Sequence, residues 1–341
     1  MNIYDSNGYL DMPRILGGSA DIIVILGARG TGKTFGALKY MLDTDSRFIL
    51  MRRTQTQIDM VAKPEFSPFK AVDASICTGS VSKNIGAFYR GEQNDKGLYQ
   101  PTGSPIGYSV ALSTISNIRG FDASDVKYLL YDEFIPERHE RPIKHEGEAF
   151  LNGYETINRN RELQNKPALK AVLMSNTNSL DSPILSILGL TKIIEKMVKK
   201  KQTLYLSGDG KVEVIYTFKS PISEKKKEST IYRLVNQNSD FYRMAIENNF
   251  DNSSYDNIIA VNLREYVPIV YIGDICIYQH KSNGYYFVSE HKSGTPERME
   301  NTTAGRTLFK RNYGYIYFAF LSSLVRFESY AAKSAFLSIF D

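Results

Sequence analysis

An α/β fold with a mainly parallel sheet is the architecture expected for the N-terminal part of this chain. Three features carry that expectation. Short apolar runs recur at Asp21-IIVIL-Gly27, Arg47-FILMR-Arg53, Asp125-VKYLLY-Asp132 and Ala168-LKAVLM-Ser175. Each is near-continuous rather than alternating, which suits a strand buried on both faces. Helical stretches at Lys33–Leu42 and His145–Leu163 separate them, and strands alternating with helices pack as parallel crossover units.

In chain order, Gly27 closes the first run, and the helix from Lys33 spaces its apolar residues by three and four. Residues 71–113 carry SICTG, GAFYR and IGYSVAL between Gly, Asn, Asp and Pro turn signals, a β-rich elaboration. The α/β domain is expected over residues 1–198. Beyond it the texture changes. TLYLSGDGKVEVIYTF holds a Gly-Asp-Gly turn between alternating strands, and IVYIGDICIYQHKSNGYYFVSE repeats the pattern around Ser282-Asn283-Gly284. Both are hairpin signals. SLVRFESYAAKSAFLSIF reads as a terminal helix. A basic linker and hairpin region is therefore expected over 199–228, and a smaller α+β domain over 229–341.

The 341 residues are 42% hydrophobic and 23% charged, enough for about two domains with proper cores and unlike a disordered chain. The longest greasy stretch, Tyr313–Phe327, is interrupted by Gly314, Ser322, Ser323 and Arg326. It falls short of the ~20 apolar residues a membrane span needs. MNIYDSNGYLD has neither a basic n-region nor an apolar h-region, so a soluble intracellular protein is expected, with no membrane partner. Cys77 and Cys276 cannot build a disulfide framework, and neither they nor the four histidines fall at zinc spacings. Between residues 191 and 230 there are ten lysines and five carboxylates, a surplus equal to the whole net charge of +5. Clustered lysines suit either a polyanion partner or a solvated linker.

The chemistry sits in Gly27-Ala28-Arg29-Gly30-Thr31-Gly32-Lys33-Thr34, a full match to G-x-x-x-x-G-K-[ST] between a strand and a helix. Glycines let the backbone curl so that its N–H groups face a phosphate chain, and the helix presents its positive end there. Lys33 would hold the β- and γ-phosphates, and Thr34 would offer its hydroxyl to Mg²⁺. The strand ending in Asp132-Glu133 has the Walker B pattern. Asp132 would hold Mg²⁺, and Glu133 would orient or deprotonate the attacking water. A carboxylate poised for water points to hydrolysis rather than kinase transfer. The guanine signature N-K-x-D is approached only at Asn165-Lys166-Pro167-Ala168, which lacks the Asp, so ATP is the expected nucleotide.

With these motifs in place, the chain resembles the genome-packaging ATPases of small protein-primed podophages, the phi-twenty-nine type, which are related to phage large-terminase motors. The resemblance rests on ILGARGTGKT, FILMRR, IRGFDASDVKYLLYDEF, INRNRE and VLMSNTNS, runs through most of residues 20–190 and is specific over 20–180. It implies a phosphate-loop NTPase of the additional-strand, catalytic-Glu type. It also implies a C-terminal RNase H-like domain without its nuclease site, and a homo-oligomeric ring, a pentamer, that drives double-stranded DNA into a procapsid. The ring would dock to the portal in the host cytoplasm, with a scaffold RNA in some relatives. By position, Asn176 with Ser175 resembles the family's coupling motif, the alternative being an ordinary strand-ending cap. Arg159 resembles the arginine finger that reaches a neighbour's γ-phosphate, with Arg161 as the alternative holder of that role. Arg119 in Ile118-Arg-Gly120 matches a basic residue acting across subunits, or else shapes its loop. Arg29 would stabilise phosphate in cis or act as a spacer. Since Arg52 and Arg53 end one strand, at most one can face the nucleotide. The alternatives are a nucleotide-switched DNA-binding protein without motor activity and a terminase-type motor with an active metal-dependent nuclease, which would need clustered carboxylates, for which the tail offers Asp240, Asp274 and Glu290 without recognisable spacing.

Overall fold

The computed structural model describes residues 3–118, 120–136, 140, 143–176, 180–218, 220–222, 234 and 257–340. The chain divides into two compact units, Met1–Asn178 with Met197–Asn249, and Ser179–Lys196 with Phe250–Asp341.

The first unit is built on a nine-stranded sheet. Its strands are β1 (Ile22–Leu26), β2 (Phe48–Arg52), β3 (Cys77–Ser82), β4 (Ile85–Gln93), β5 (Tyr99–Ala111), β6 (Tyr128–Asp132), β7 (Lys170–Ser175), β8 (Leu204–Leu206) and β9 (Val212–Tyr216). They lie in the order β3-β4-β5-β2-β6-β7-β1-β9-β8. From β5 to β9 every neighbouring pair is parallel, whereas β3, β4 and β8 run antiparallel at the edges. The central strands are apolar throughout because both faces are covered: Ile23 to Leu26, Ile49 to Met51 and Ala171 to Met174 are fully buried or nearly so. Helices α1 (Met12–Leu16), α2 (Lys33–Asp43), α3 (Gln55–Val61) and α4 (Glu146–Asn158) belong to this unit. β7 lies between β1 and β6, so an additional strand separates the glycine loop from the acidic strand end.

Four local expectations are corrected. The lysine-rich region does hold the hairpin, but β9 pairs in parallel with β1, so this hairpin is the edge of the main sheet and not a linker. The apolar Val214, Ile215 and Tyr216 are wholly buried there, which a free-standing hairpin could not achieve. The first domain does not stop at 198, because residues 179–196 group with the C-terminal unit and the chain from 197 returns to the first. The helix expected to reach Leu163 ends at Asn158, since Arg159 and Asn160 adopt left-handed backbone with φ of 47° and 56°. The terminal helix starts only at Tyr330, where the Ser329 hydroxyl caps it by accepting the Ala332 N–H, while Val325–Phe327 is a strand.

The second unit carries a five-stranded sheet in the order β13-β10-β11-β12-β14. These are β10 (Tyr266–Ile272), β11 (Ile275–His280), β12 (Tyr286–Ser289), β13 (Glu297–Met299) and β14 (Val325–Phe327). The first three form an antiparallel meander; β13 adds in parallel to β10, and β14 in parallel to β12. Among the described residues this unit also holds α5 (Pro183–Ile187), α7 (Thr303–Tyr313), α8 (Tyr315–Leu321) and α9 (Tyr330–Leu337), and α6 (Thr191–Lys200) spans the boundary. Phe309, Phe327 and Phe336 fill its core against Ile272, Ile277 and Val288. Asp274 is exposed on the β10–β11 turn, and Glu290 pairs with Lys192 at 2.7 Å. Asp240, Lys225 to Lys227 and His139 lie outside the described residues. No group of three or more metal-ligating side chains occurs among the described residues. Nor is any described helix long and apolar enough to cross a membrane.

Candidate functional site

The site forms at the carboxyl ends of β1, β7, β6 and β2, where parallel α/β sheets place their ligands. β1 runs into the loop 27–32, and α2 begins at Lys33. Gly32 caps that helix with a φ of 88°, a conformation that a side chain would strain. Gly27 is required for a different reason: a Cβ there would lie 2.0 Å from the Thr217 hydroxyl oxygen, just beyond β9.

Lys33 is buried, and its ammonium donates to the carbonyls of Gly27 (2.9 Å) and Ala28 (2.8 Å) and to Asn176 Oδ1 (3.3 Å). Thr31 donates its hydroxyl to Ala28 O at 3.1 Å, closing the loop on itself. The Thr34 hydroxyl lies 3.0 Å from both carboxylate oxygens of Asp132. Asp132 is 2% exposed, and burial pushes its carboxyl above the ordinary value despite the opposing Arg52 guanidinium. Arg52 bridges the acidic pair, 2.8 Å from Asp132 and in direct contact with Glu133. Its Nε is buried without a hydrogen-bond partner, so this arginine is engaged through one end only. Glu133 has a left-handed φ of 56° and donates its backbone N–H to Met174 O at 2.8 Å, which turns its half-exposed carboxylate toward the pocket. That pocket, of about 380 Å³, is lined by Arg29, Lys33, Thr34, Asp132, Glu133 and Asn176 among others.

Strand alternation sends Arg53 to the opposite face. It is fully buried, with Glu146 of the first turn of α4 at 2.7 Å and Glu140 at 3.0 Å. Arg159 and Arg161 stand away from the pocket lining. Arg159 donates to Phe121 O at 2.6 Å and lies 3.6 Å from Asp122. Arg161 is buried and donates to Val126 O (2.6 Å) and Ala123 O (2.7 Å), which leaves its guanidinium committed to the loop ahead of β6. Arg119 lies outside the described residues. The motifs therefore come together as Lys33, Thr34, Asp132, Glu133 and Asn176. Sequence reasoning did not find Arg52 as the counter-charge of both acids, nor Thr217 behind Gly27, because both depend on pairing distant segments.

The donor set fits a magnesium-bound triphosphate. A hydroxyl and a carboxylate are the hard oxygen ligands that Mg²⁺ takes. Asp132 is a buried acid whose charged form is disfavoured as it stands, a condition that a cation there would relieve. The Lys33 ammonium rests on backbone carbonyls that a phosphate oxygen can replace.

Together these features define a mixed α/β protein with a large, mainly parallel sheet, similar to the phage packaging ATPases. The chain belongs to the podovirus DNA encapsidation protein (Gp16) family, whose model matches residues 3–297, and it is a DNA-packaging motor protein. Its fold is similar to that of the Phi-28 gp11 DNA packaging motor, with a TM-score of 0.63 at 21% identity over 98% of this chain and 97% of that one. It is also similar to a chain of the bacteriophage Phi-29 viral genome packaging motor assembly, with a TM-score of 0.58 at 16% identity over 98% of each. No curated protein matches the sequence.

Proposed function

We propose that this protein is an ATP-hydrolysing motor that drives double-stranded viral DNA into a procapsid as a homopentameric ring docked to the portal. The observation that carries the reading is the Thr34 hydroxyl at 3.0 Å from Asp132, beside the buried Lys33 ammonium at the end of one sheet. Lys33 leaves the loop carbonyls for the β- and γ-phosphates, and the loop N–H groups with Gly32 at the start of α2 receive the rest of the chain. Thr34 and Asp132 would hold Mg²⁺, which supplies charge neutralisation at the phosphates. Glu133 orients the attacking water and accepts its proton. Asn176, bonded to Lys33, sits where the arrival of a phosphate alters its contacts, so β7 can report nucleotide state. Arg159 acts on the neighbouring protomer's triphosphate, and Arg119 serves the same interface.

The meander flanked by parallel strands supports an RNase H-like second domain that grips DNA or docks to the portal. A scaffold RNA is a further partner on this reading, and the host cytoplasm the site of action. The test is turnover with and without duplex DNA and procapsid. Lys33→Ala should abolish nucleotide binding. Glu133→Gln should bind ATP with the fold intact and lose about 10²–10⁴ in turnover. Wild-type turnover from Glu133→Gln would overturn the assignment.

A further inference from the structure

Arg159 is not left loose on the surface. It follows α4 in a left-handed conformation, and its own N–H closes on Glu155 O at 2.9 Å. Its guanidinium then meets the loop 121–126 at two points, donating to Phe121 O at 2.6 Å and lying 3.6 Å from the Asp122 carboxylate. That loop is itself anchored. Arg161 donates to Ala123 O and Val126 O, and the Phe121 ring stands edge-on to Tyr108 with centroids 4.8 Å apart. Asp122 accepts the Ser124 N–H at 3.0 Å, and this bond, with Arg159 nearby, holds its carboxyl below the ordinary carboxylate value. The Ser124 bond thus gives this exposed carboxylate a preferred direction.

We propose that Asp122 is a positioning residue that parks the Arg159 guanidinium on its own protomer until a neighbour's triphosphate competes for it. This rests on Arg159 acting in trans, as proposed above. The two engagements exclude each other, because a carboxylate carried beside a triphosphate adds like charge to a site that needs cations. The parked state is also releasable. The Arg159 and Asp122 side chains are 42% and 73% exposed, and pairs so open to water are weak. A phosphate in a closed pocket offers a guanidinium bidentate, charge-assisted bonds that are stronger. Subunits that have not met a loaded neighbour would thus hold the finger in place, which keeps turnover low before the ring closes.

Asp122→Asn tests this, since Asn retains an oxygen for the Ser124 N–H while the charge is lost and the second oxygen becomes an amide donor. DNA-independent turnover of the assembled protein should rise about two- to fivefold. In single-turnover assays on an Arg159→Ala background, the same change should have no effect. An unchanged or lower rate in the wild-type background overturns the proposal, as does an equal rise with Arg159→Ala. Wild-type turnover from Arg159→Ala alone would instead show that the trans reading has failed, taking this inference with it.

Discussion

At a cost to the free protein, burial works against the charged form of the Asp132 side chain. It is almost wholly buried, and burial outweighs the Arg52 and Thr34 contacts, so its folded-state carboxyl lies above the ordinary value of 3.8. The folded state therefore binds the proton more tightly than the unfolded chain. Without metal, stability should be greatest below pH 3.8 as far as this residue is concerned, and should decline from there until pH passes the raised folded value. Asp132→Asn should remove that slope and raise the melting temperature at neutral pH, while Mg²⁺-dependent stabilisation and turnover disappear. Melting curves across this range, with and without Mg²⁺, check both halves. A variant less stable than wild type at neutral pH would mean that Arg52 and Thr34 outweigh desolvation.

Among the elements, β9 matters more than its short length suggests. It pairs with β1 on the side opposite β7, and Thr217 at its end donates its N–H to Leu26 O at 2.9 Å. The first glycine of the loop 27–32 is thus held between β7 and β9. Gly27→Ala would drive a methyl group into the Thr217 hydroxyl and should destabilise the protein by about 1–3 kcal/mol. Adding Thr217→Ala should recover part of that loss, and urea unfolding of the four-member cycle measures the coupling. Strictly additive losses would place the strain elsewhere. The same contact explains why the hairpin looked detached in the sequence. The alternation of VEVIY and the Gly-Asp-Gly turn announce strands, but nothing local names β1 as their partner.

For the whole molecule, the proposed sharing of catalysis between protomers has a distinctive signature. Mixing Arg159→Ala subunits with wild type should lower turnover more than in proportion to their fraction, because each variant subunit also disables the neighbour it serves. A linear decline would argue that every protomer works alone. Turnover measured against mixing ratio, at constant total protein and with DNA present, separates the two.

Read by itself, the sequence determined the local patterns that spacing alone can specify. The glycines and Lys-Thr of residues 27–34, the apolar strand ending in Asp132-Glu133, and the buried strands on both sides are local patterns that can be read before their distant partners are known. Only the tertiary structure decided that Arg52 rather than Arg53 meets the acids, that Arg161 is buried while Arg159 stays at the surface, and that residues 204–216 complete the main sheet. Each of those outcomes is fixed by strand parity, register and packing between segments tens of residues apart. Such pairings are set by the burial of whole faces, which no local spacing encodes.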